Sequence, residues 1–185
     1  PDAGDTATSS IVGGADAAVF SVNASQLVIS DGVLDFETQA SYSVTVRITD
    51  TGGLTHDQSF TVSVSDVNEA PSFSSAPVTA ATQDVAYSYT ITTSDPDTGA
   101  SLTISAPTLP ASLTLTDHGD GTATLSGPPS NAQGGPHSVV LQVSDGSLSG
   151  TQSCTLTVGN VNDDPPIPSN GAGATASVSV PANQN

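Results

Sequence analysis

The chain has 185 residues, of which 18 are acidic and one, Arg47, is basic, for a formal charge of -17. Nucleic-acid binding and docking on an anionic membrane both need Lys and Arg to meet phosphates, so both are excluded. No apolar run approaches the ~20 residues of a membrane-spanning helix, and the single Cys excludes a disulfide within the chain.

A hydrophobic content of 35% with so large a charge matches the composition of disordered chains, but the apolar residues follow a regular order. Leu34-Asp35-Phe36-Glu37 precedes a run in which Tyr42, Val44, Val46 and Ile48 alternate with Ser43, Thr45 and Arg47, ending at Asp50. Phe60, Val62 and Val64 then alternate with Thr61, Ser63 and Ser65, and lead into Asp66-Val67-Asn68-Glu69-Ala70-Pro71. Asp95-Pro96-Asp97 closes the next run, Ala86 to Ser94. Val139, Leu141 and Val143 alternate up to Asp145, and Cys154, Leu156 and Val158 up to Asn160-Val161-Asn162-Asp163-Asp164-Pro165. A last strand-like run is Ala176-Ser177-Val178-Ser179-Val180. A period of two places one strand face on a core and leaves the other wet, and Gly, Pro, Asn and Asp punctuate the runs. The expected fold is all-β, built of short strands.

The chain repeats itself. Ser43 to Asp50 realigns with Ser138 to Asp145 at an offset of 95 residues. After a one-residue gap Phe60 to Pro71 falls on Cys154 to Pro165, and Pro1-Asp2-Ala3-Gly4 falls on Pro96-Asp97-Thr98-Gly99. This period suits tandem immunoglobulin-like β-sandwiches of about 100 residues. Residues 1–70 are expected to form a domain lacking about 24 residues at its head, and residues 71–165 a complete one. Residues 166–185 are expected to be a linker and the opening strand of a following domain, or a strand donated to a neighbour. Cys154 takes the inward position of Phe60, so it reads as a small buried apolar residue rather than a reactive thiol.

Asp16, Asp31, Asp57 and Asp84 are scattered and read as solubilising surface. The other carboxylates concentrate at strand ends, in Leu34-Asp35-Phe36-Glu37, Asp66-Val67-Asn68-Glu69, Asp95-Pro96-Asp97 and Asp145-Gly146. Carboxylates gathered without a basic partner repel and raise one another's pKa. A hard divalent cation resolves that conflict, and Ca²⁺ takes about six to eight oxygens from Asp, Glu, Asn and carbonyl groups. Asp-x-Asp and Asp-x-Asn-Glu spacings in extended chain turn alternate side chains toward one side.

These motifs resemble those of the cadherin superfamily, specifically the cadherin-like domains of very large bacterial surface adhesins. Asp66-Val67-Asn68-Glu69-Ala70-Pro71 is similar to that family's interdomain Asp-x-Asn-Asp-Asn-x-Pro, and Leu34-Asp35-Phe36-Glu37 to its Leu-Asp-x-Glu element. Asp95-Pro96-Asp97 resembles the next domain's Asp-x-Asp, and Asp145 its later strand-end Asp. The resemblance implies one interdomain Ca²⁺ cluster held by Asp35, Glu37, Asp66, Asn68, Glu69, Asp95, Asp97 and Asp145. It implies weaker sites at the second linker (Asn162, Asp163, Asp164) and at the free top of the first domain (Asp2, Asp50 and Asp5). The first-strand Glu of the family is replaced by Ala182 in Pro181-Ala182-Asn183, and the second domain has no Leu-Asp-x-Glu element. Its centre, Leu109 to Leu115 and Gly121 to Pro128, looks like the dystroglycan-type, immunoglobulin-like variant of the sandwich.

His56, His118 and His137 lie in or beside turns, and none has ligand spacing to another His or to Cys. Paired carboxylates run glycoside hydrolysis only in a cleft with aromatic platforms, and four Phe and three Tyr, mostly on core faces, do not furnish one. The Asn23-Ala24-Ser25 sequon reads as a chance occurrence. The sequence therefore points to a non-enzymatic, extracellular, Ca²⁺-binding structural and adhesive repeat of a bacterial surface protein, with neighbouring copies or domains as partners. Two other readings stand beside it. One is recognition of a cell-surface glycan or protein. The other is a head-to-tail filament in which residues 166–185 of one copy complete the head of another.

Overall fold

The computed structural model describes residues 6–161 apart from 31 and 33. The expectations at Asp2, Asp5, Asp31, Asn162, Asp163, Asp164 and residues 166–185 lie outside the described residues. Among the described residues each alternating run has become a strand, since β-branched and aromatic side chains at every second position cover one pleated face. The first five strands are β1 (Ala7–Gly13), β2 (Phe20–Asn23), β3 (Gln26–Ile29), β4 (Ser41–Asp50) and β5 (Thr55–Ser63). They form an antiparallel sheet β1-β4-β5 faced by the β2-β3 hairpin. Ala24 and Ser25, both at positive φ (46° and 70°), close that hairpin, as the twist of a two-residue turn demands. Phe20 meets Tyr42 edge-on, with ring centroids 6.3 Å apart, over the fully buried Val44.

The remaining strands are β6 (Ser72–Phe73), β7 (Ala80–Thr82), β8 (Tyr87–Ser94), β9 (Thr103–Thr108), β10 (Thr114–Asp117), β11 (Thr122–Gly127), β12 (Gly135–Ser144) and β13 (Ser149–Gly159). Two four-stranded sheets result, β10-β11-β8-β6 and β7-β13-β12-β9, with β7 parallel to β13 and the other pairs antiparallel. Tyr87, Tyr89 and Ile91 of β8 pack onto Val139, Leu141 and Val143 of β12 and Leu156 and Val158 of β13. Cys154 sits half-buried against this core, and its desolvation pushes the thiol pKa up, as its inward position led one to expect. Burial pushes the Tyr87 hydroxyl to about 12, and that hydroxyl donates to the Val78 carbonyl at 2.7 Å.

The sequence repeat is a structural repeat. β1, β4 and β5 correspond to β9, β12 and β13, and the β2-β3 hairpin to β10-β11. Several scattered residues do more than the sequence indicated. Asp16 accepts from Gln39 Nε2 at 3.0 Å and from the Ser43 N–H at 2.7 Å, tying the β1-β2 connection to β4. Arg47 forms a two-pronged ion pair with Asp57 at 2.7 Å on each arm, so the one basic side chain is engaged away from the strand-end carboxylates. Asp84 accepts from Gln83 Nε2 at 3.0 Å. His56 lies on β5 opposite Ile48 rather than in the turn before it.

Candidate metal site

After β5 the chain runs without regular secondary structure from Val64 to Pro71, which is fully buried, and enters β6. A Cβ added to Gly150 would collide with the Pro71 carbonyl oxygen, so the linker lies directly on the start of β13. This placement brings three separate acidic elements to the linker.

The first is the turn after β3. Asp35 Oδ1 accepts from the N–H groups of Glu37 (3.0 Å) and Thr38 (3.3 Å), and Oδ2 from the Thr38 hydroxyl (3.0 Å). The Thr38 hydroxyl, with Glu37, holds the Asp35 carboxyl below its ordinary pKa. An Asp that hydrogen-bonds the backbone two residues on is a turn-former, and this one sets the direction of Glu37. The second element follows β8. Asp95 Oδ1 accepts from the Asp97 N–H at 2.9 Å, and Asp97 Oδ2 accepts from the Glu69 N–H at 3.0 Å. The third is the β12-β13 turn, where Gly146 adopts φ +97°. There Asp145 Oδ1 accepts from the N–H groups of Ser147 and Leu148, both at 2.6 Å. Its Oδ2 accepts from Asn68 Nδ2 at 2.8 Å. The two backbone donors at Leu148 and Ser147, then Asn68, pull the Asp145 carboxyl below its usual range.

Carboxylate oxygens of Glu37, Asp66 and Asp97 lie within 4.8 Å of one another. Glu69 is pushed up, first by desolvation and then by the charges of Asp97, Asp66, Asp35 and Asp95. Glu37 accepts from its own backbone N–H, which pulls its carboxyl down. Desolvation, the hydrogen bond shared with Asp35 and the charges of Glu69 and Asp35 outweigh that pull and raise it. Glu69 Oε2 and Asp95 Oδ2 are buried without a hydrogen-bond partner. A buried acceptor left unpaired is costly, and two beside a cluster of like charges need a positive counter-charge. The donor set is all oxygen, from carboxylates and one amide, as hard cations require. Two oxygens bound to one Ca²⁺ at about 2.4 Å each lie at most about 4.8 Å apart, so the spacing of Glu37, Asp66 and Asp97 fits a single ion. The residues present fit the group.

The eight first-junction residues thus do different things. Glu37, Asp66 and Asp97 converge, while Glu69 and Asp95 keep a buried free oxygen each. Asp35, Asn68 and Asp145 spend hydrogen-bonding capacity on holding the frame. Of the weaker candidates, Asp50 lies at the far end of β4, where its Oδ1 accepts from the Leu54 N–H at 2.8 Å, and it does not join the cluster. Sequence reasoning missed Pro96, Leu34, Phe36 and Val64, which with Glu37 and Glu69 line an open cleft of about 590 Å³ at the junction. Leu34, Phe36 and Pro96 stand inside the acidic motifs and Val64 ends an alternating run, and those places are their only signal.

The strands thus build an immunoglobulin-like β-sandwich fold. Residues 70–159 match the family described as "Putative Ig domain", which spans every strand from β6 to β13. Among solved structures the chain is similar to extracellular cadherin domains 3–6 of protocadherin gamma B2, with 22% identity and a TM-score of 0.62. That match covers 87% of this chain and 42% of the other. It is also similar to the protocadherin gammaB7 EC3-6 cis-dimer structure, with 22% identity, a TM-score of 0.56, and 85% and 41% of the two chains covered. At such identity the likeness is one of fold. The chain spans about two fifths of the length of these structures.

Proposed function

We propose that this chain is an extracellular, non-enzymatic, Ca²⁺-binding repeat unit of a large bacterial surface protein, in which the ion stiffens the junction between two sandwiches. The domains are residues 1–70 and 71–165, with 166–185 a linker and opening strand. The observation that carries the reading is the meeting of Glu37 from the first sandwich, Asp66 from the linker and Asp97 from the second, beside the unpartnered oxygens of Glu69 and Asp95.

When bound, Ca²⁺ supplies the positive charge that these carboxylates lack. The chain's own residues do the rest. Asp35 orients Glu37, Asn68 and the Glu69 N–H anchor the linker to Asp145 and Asp97, and buried Pro71 holds the chain entering β6. Without the ion, like charges on the two sandwiches push the junction open; with it, the same charges become shared ligands. A chain of such units is stiff in Ca²⁺ and loose in its absence, which suits a stalk or adhesin that keeps a binding tip away from a cell. Neighbouring domains or copies of the same protein are the natural partners. The engagement of His118 with Thr124 and of His137 with the Gln133 carbonyl favours structural rather than catalytic roles for both.

Thermal melts in EDTA and in millimolar Ca²⁺, with calorimetric titration of the ion, test this. Stabilisation follows RT ln(1 + [L]/Kd), about 2.7 kcal/mol at a hundredfold excess over Kd. An identical melt in both buffers and no heat of binding would sink the metal reading.

A further inference from the structure

The chain enters and leaves the second sandwich at opposite ends of one strand. The Pro71 carbonyl lies against Gly150, at the start of β13, and Val161 follows just past its end, Gly159. Tension passing along the chain through this sandwich therefore runs along β13, a strand of 11 residues and about 35 Å. β7 pairs with β13 in parallel, Ala80 to Thr82 opposite Thr157 to Gly159. Tension draws β7 back toward Pro71 and β13 on toward Val161, so the two strands slide past each other. Every bond between them is then loaded at once, whereas a hairpin pulled apart at its open end loses its bonds one by one.

The β7-β13 seam extends beyond its ladder. The Thr157 N–H donates to the Thr79 carbonyl at 2.8 Å on one side, and the Gln83 N–H to the Gly159 carbonyl at 2.9 Å on the other. Gln83 Oε1 then accepts from the Val161 N–H at 3.2 Å, and its Nε2 donates to Asp84 Oδ2 at 3.0 Å. Gln83 is 1% exposed, the one buried polar or charged residue among the described residues. An apolar side chain would fill that place without the cost of burying an amide; what the amide adds is a bond to the departing chain. Upstream, the Ser75 carbonyl accepts from Gln152 Nε2 (2.8 Å) and Tyr89 Oη (3.2 Å). The segment between β6 and β7 is thereby fastened to β13 and to β8.

We propose that the second sandwich is a load-bearing unit, that the parallel β7-β13 seam is its shear clamp, and that Gln83 is the latch carrying the clamp onto the departing chain. Resistance to pulling is set by the barrier to unfolding rather than by equilibrium stability. Bonds that must all break together raise that barrier for one direction of pull and not for others. The seam contains none of the junction carboxylates, so the clamp needs no ion and does not rest on the metal reading.

The test is single-molecule force spectroscopy on the full chain, held by its two ends, in EDTA and in millimolar Ca²⁺. The event whose contour length matches residues 71–161 reports the second sandwich. A second geometry holds the chain, with Cys154→Ser, by thiols at Asp120→Cys and Ser147→Cys, in the β10-β11 and β12-β13 turns of the two sheets. That pull peels the sheets apart, and the end-to-end pull should need the higher force. Gln83→Leu removes the latch bond from the buried side. Val161→Pro removes it from a residue 43% exposed, so a fold that does not tolerate the first variant is still tested by the second. Each should speed end-to-end unfolding about tenfold, or about 1.4 kcal/mol of barrier, and leave the peeling rate unchanged. The double variant should do no more than either alone, since both remove one bond. Equal forces in the two geometries overturn the clamp. Variants that speed both pulls alike, that change neither, or that add together overturn the latch. The end-to-end force should persist in EDTA, and its loss there would overturn the ion-free clamp. Failure of the metal reading leaves this proposal standing, and its own failure leaves the metal reading intact.

Discussion

The side-chain amide of Asn68 donates to Oδ2 of Asp145 at 2.8 Å, across 77 residues of sequence. With the Glu69 N–H on Asp97, it fastens the linker to the second sandwich without any ion. The linker and second-sandwich carboxylates are thus held on one body, and Glu37 is the member of the converging trio that comes from the first sandwich. Asn68→Ala should therefore weaken Ca²⁺ binding about tenfold by freeing the linker, with little change in the fold of either sandwich. Calorimetry with far-UV circular dichroism checks both halves. An unchanged affinity would mean that the bond only decorates the junction.

Asp97→Asn should change sign with conditions. The amide keeps an oxygen for the Glu69 N–H but removes one of three converging charges. In EDTA the variant should melt at or above the parent temperature, because repulsion is relieved. In saturating Ca²⁺ it should melt below the parent, because a charged ligand is gone. Melts that keep the same order in both buffers would remove Asp97 from the site.

The pH dependence follows from opposed shifts. Glu37 and Glu69 have folded pKa values raised above the ordinary 4.5. Protonation favours the native state there, so their contribution is complete below that value and is lost as pH rises through the raised one. Asp35 and Asp145 are lowered below 3.8. Their contribution is present above that value and is lost as pH falls through the lowered one. The Ca²⁺-free protein should accordingly be most stable in mild acid, near the ordinary carboxylate values. Added Ca²⁺ should move the optimum toward neutrality, since the ion needs deprotonated ligands. Melting temperature against pH in the two buffers measures it, and an optimum that does not move with Ca²⁺ contradicts it.

Most of the strand positions and the acidic elements were legible because they are local. Alternation over Tyr42 to Ile48 states its own inward face, and Asp66-Val67-Asn68-Glu69 carries its spacing with it. What was not legible depends on which distant residue arrives. The Asp16 contact to Ser43 bridges 27 residues and the Arg47 pair with Asp57 depends on strand register. Both carboxylates looked like plain surface in the sequence. Ile48 and Phe60 carry the same inward pattern as Val143 and Cys154, yet they stay exposed because burial depends on an opposing strand and not on the pattern itself. Asp35 stands among the expected ligands, and the hydrogen bonds that both its oxygens accept within its own turn could not be read from the motif.

Gly150 is a residue whose importance only the packing reveals. Its missing side chain leaves room for the Pro71 carbonyl, so Gly150→Ala must push the linker away from β13 or distort the strand. Overpacking of this kind costs about 1–3 kcal/mol. The displacement reaches Asn68 and Glu69 directly, so both the melting temperature and the Ca²⁺ affinity should fall. A loss of stability with unchanged affinity would show that the linker keeps its course without this contact.

The two sandwiches differ in how much core they own, and unfolding should reveal it. Twelve buried residues form the second core, against Phe20, Tyr42 and Val44 in the first. Hydrophobic stabilisation scales with the area removed from water, so monomeric chain in EDTA should unfold in two steps, the first sandwich melting at the lower temperature. Leu141→Ala, in the second core, should lower only the upper transition, by about 2–5 kcal/mol. Val44→Ala should lower only the lower one. Bound Ca²⁺ should draw the transitions together, because the ion is lost when either sandwich melts and so links the two equilibria. Differential scanning calorimetry of parent and variants, with and without Ca²⁺, resolves this directly. A single transition in EDTA, shifted equally by both substitutions, would mean that the carboxylate junction transmits folding from one sandwich to the other unaided.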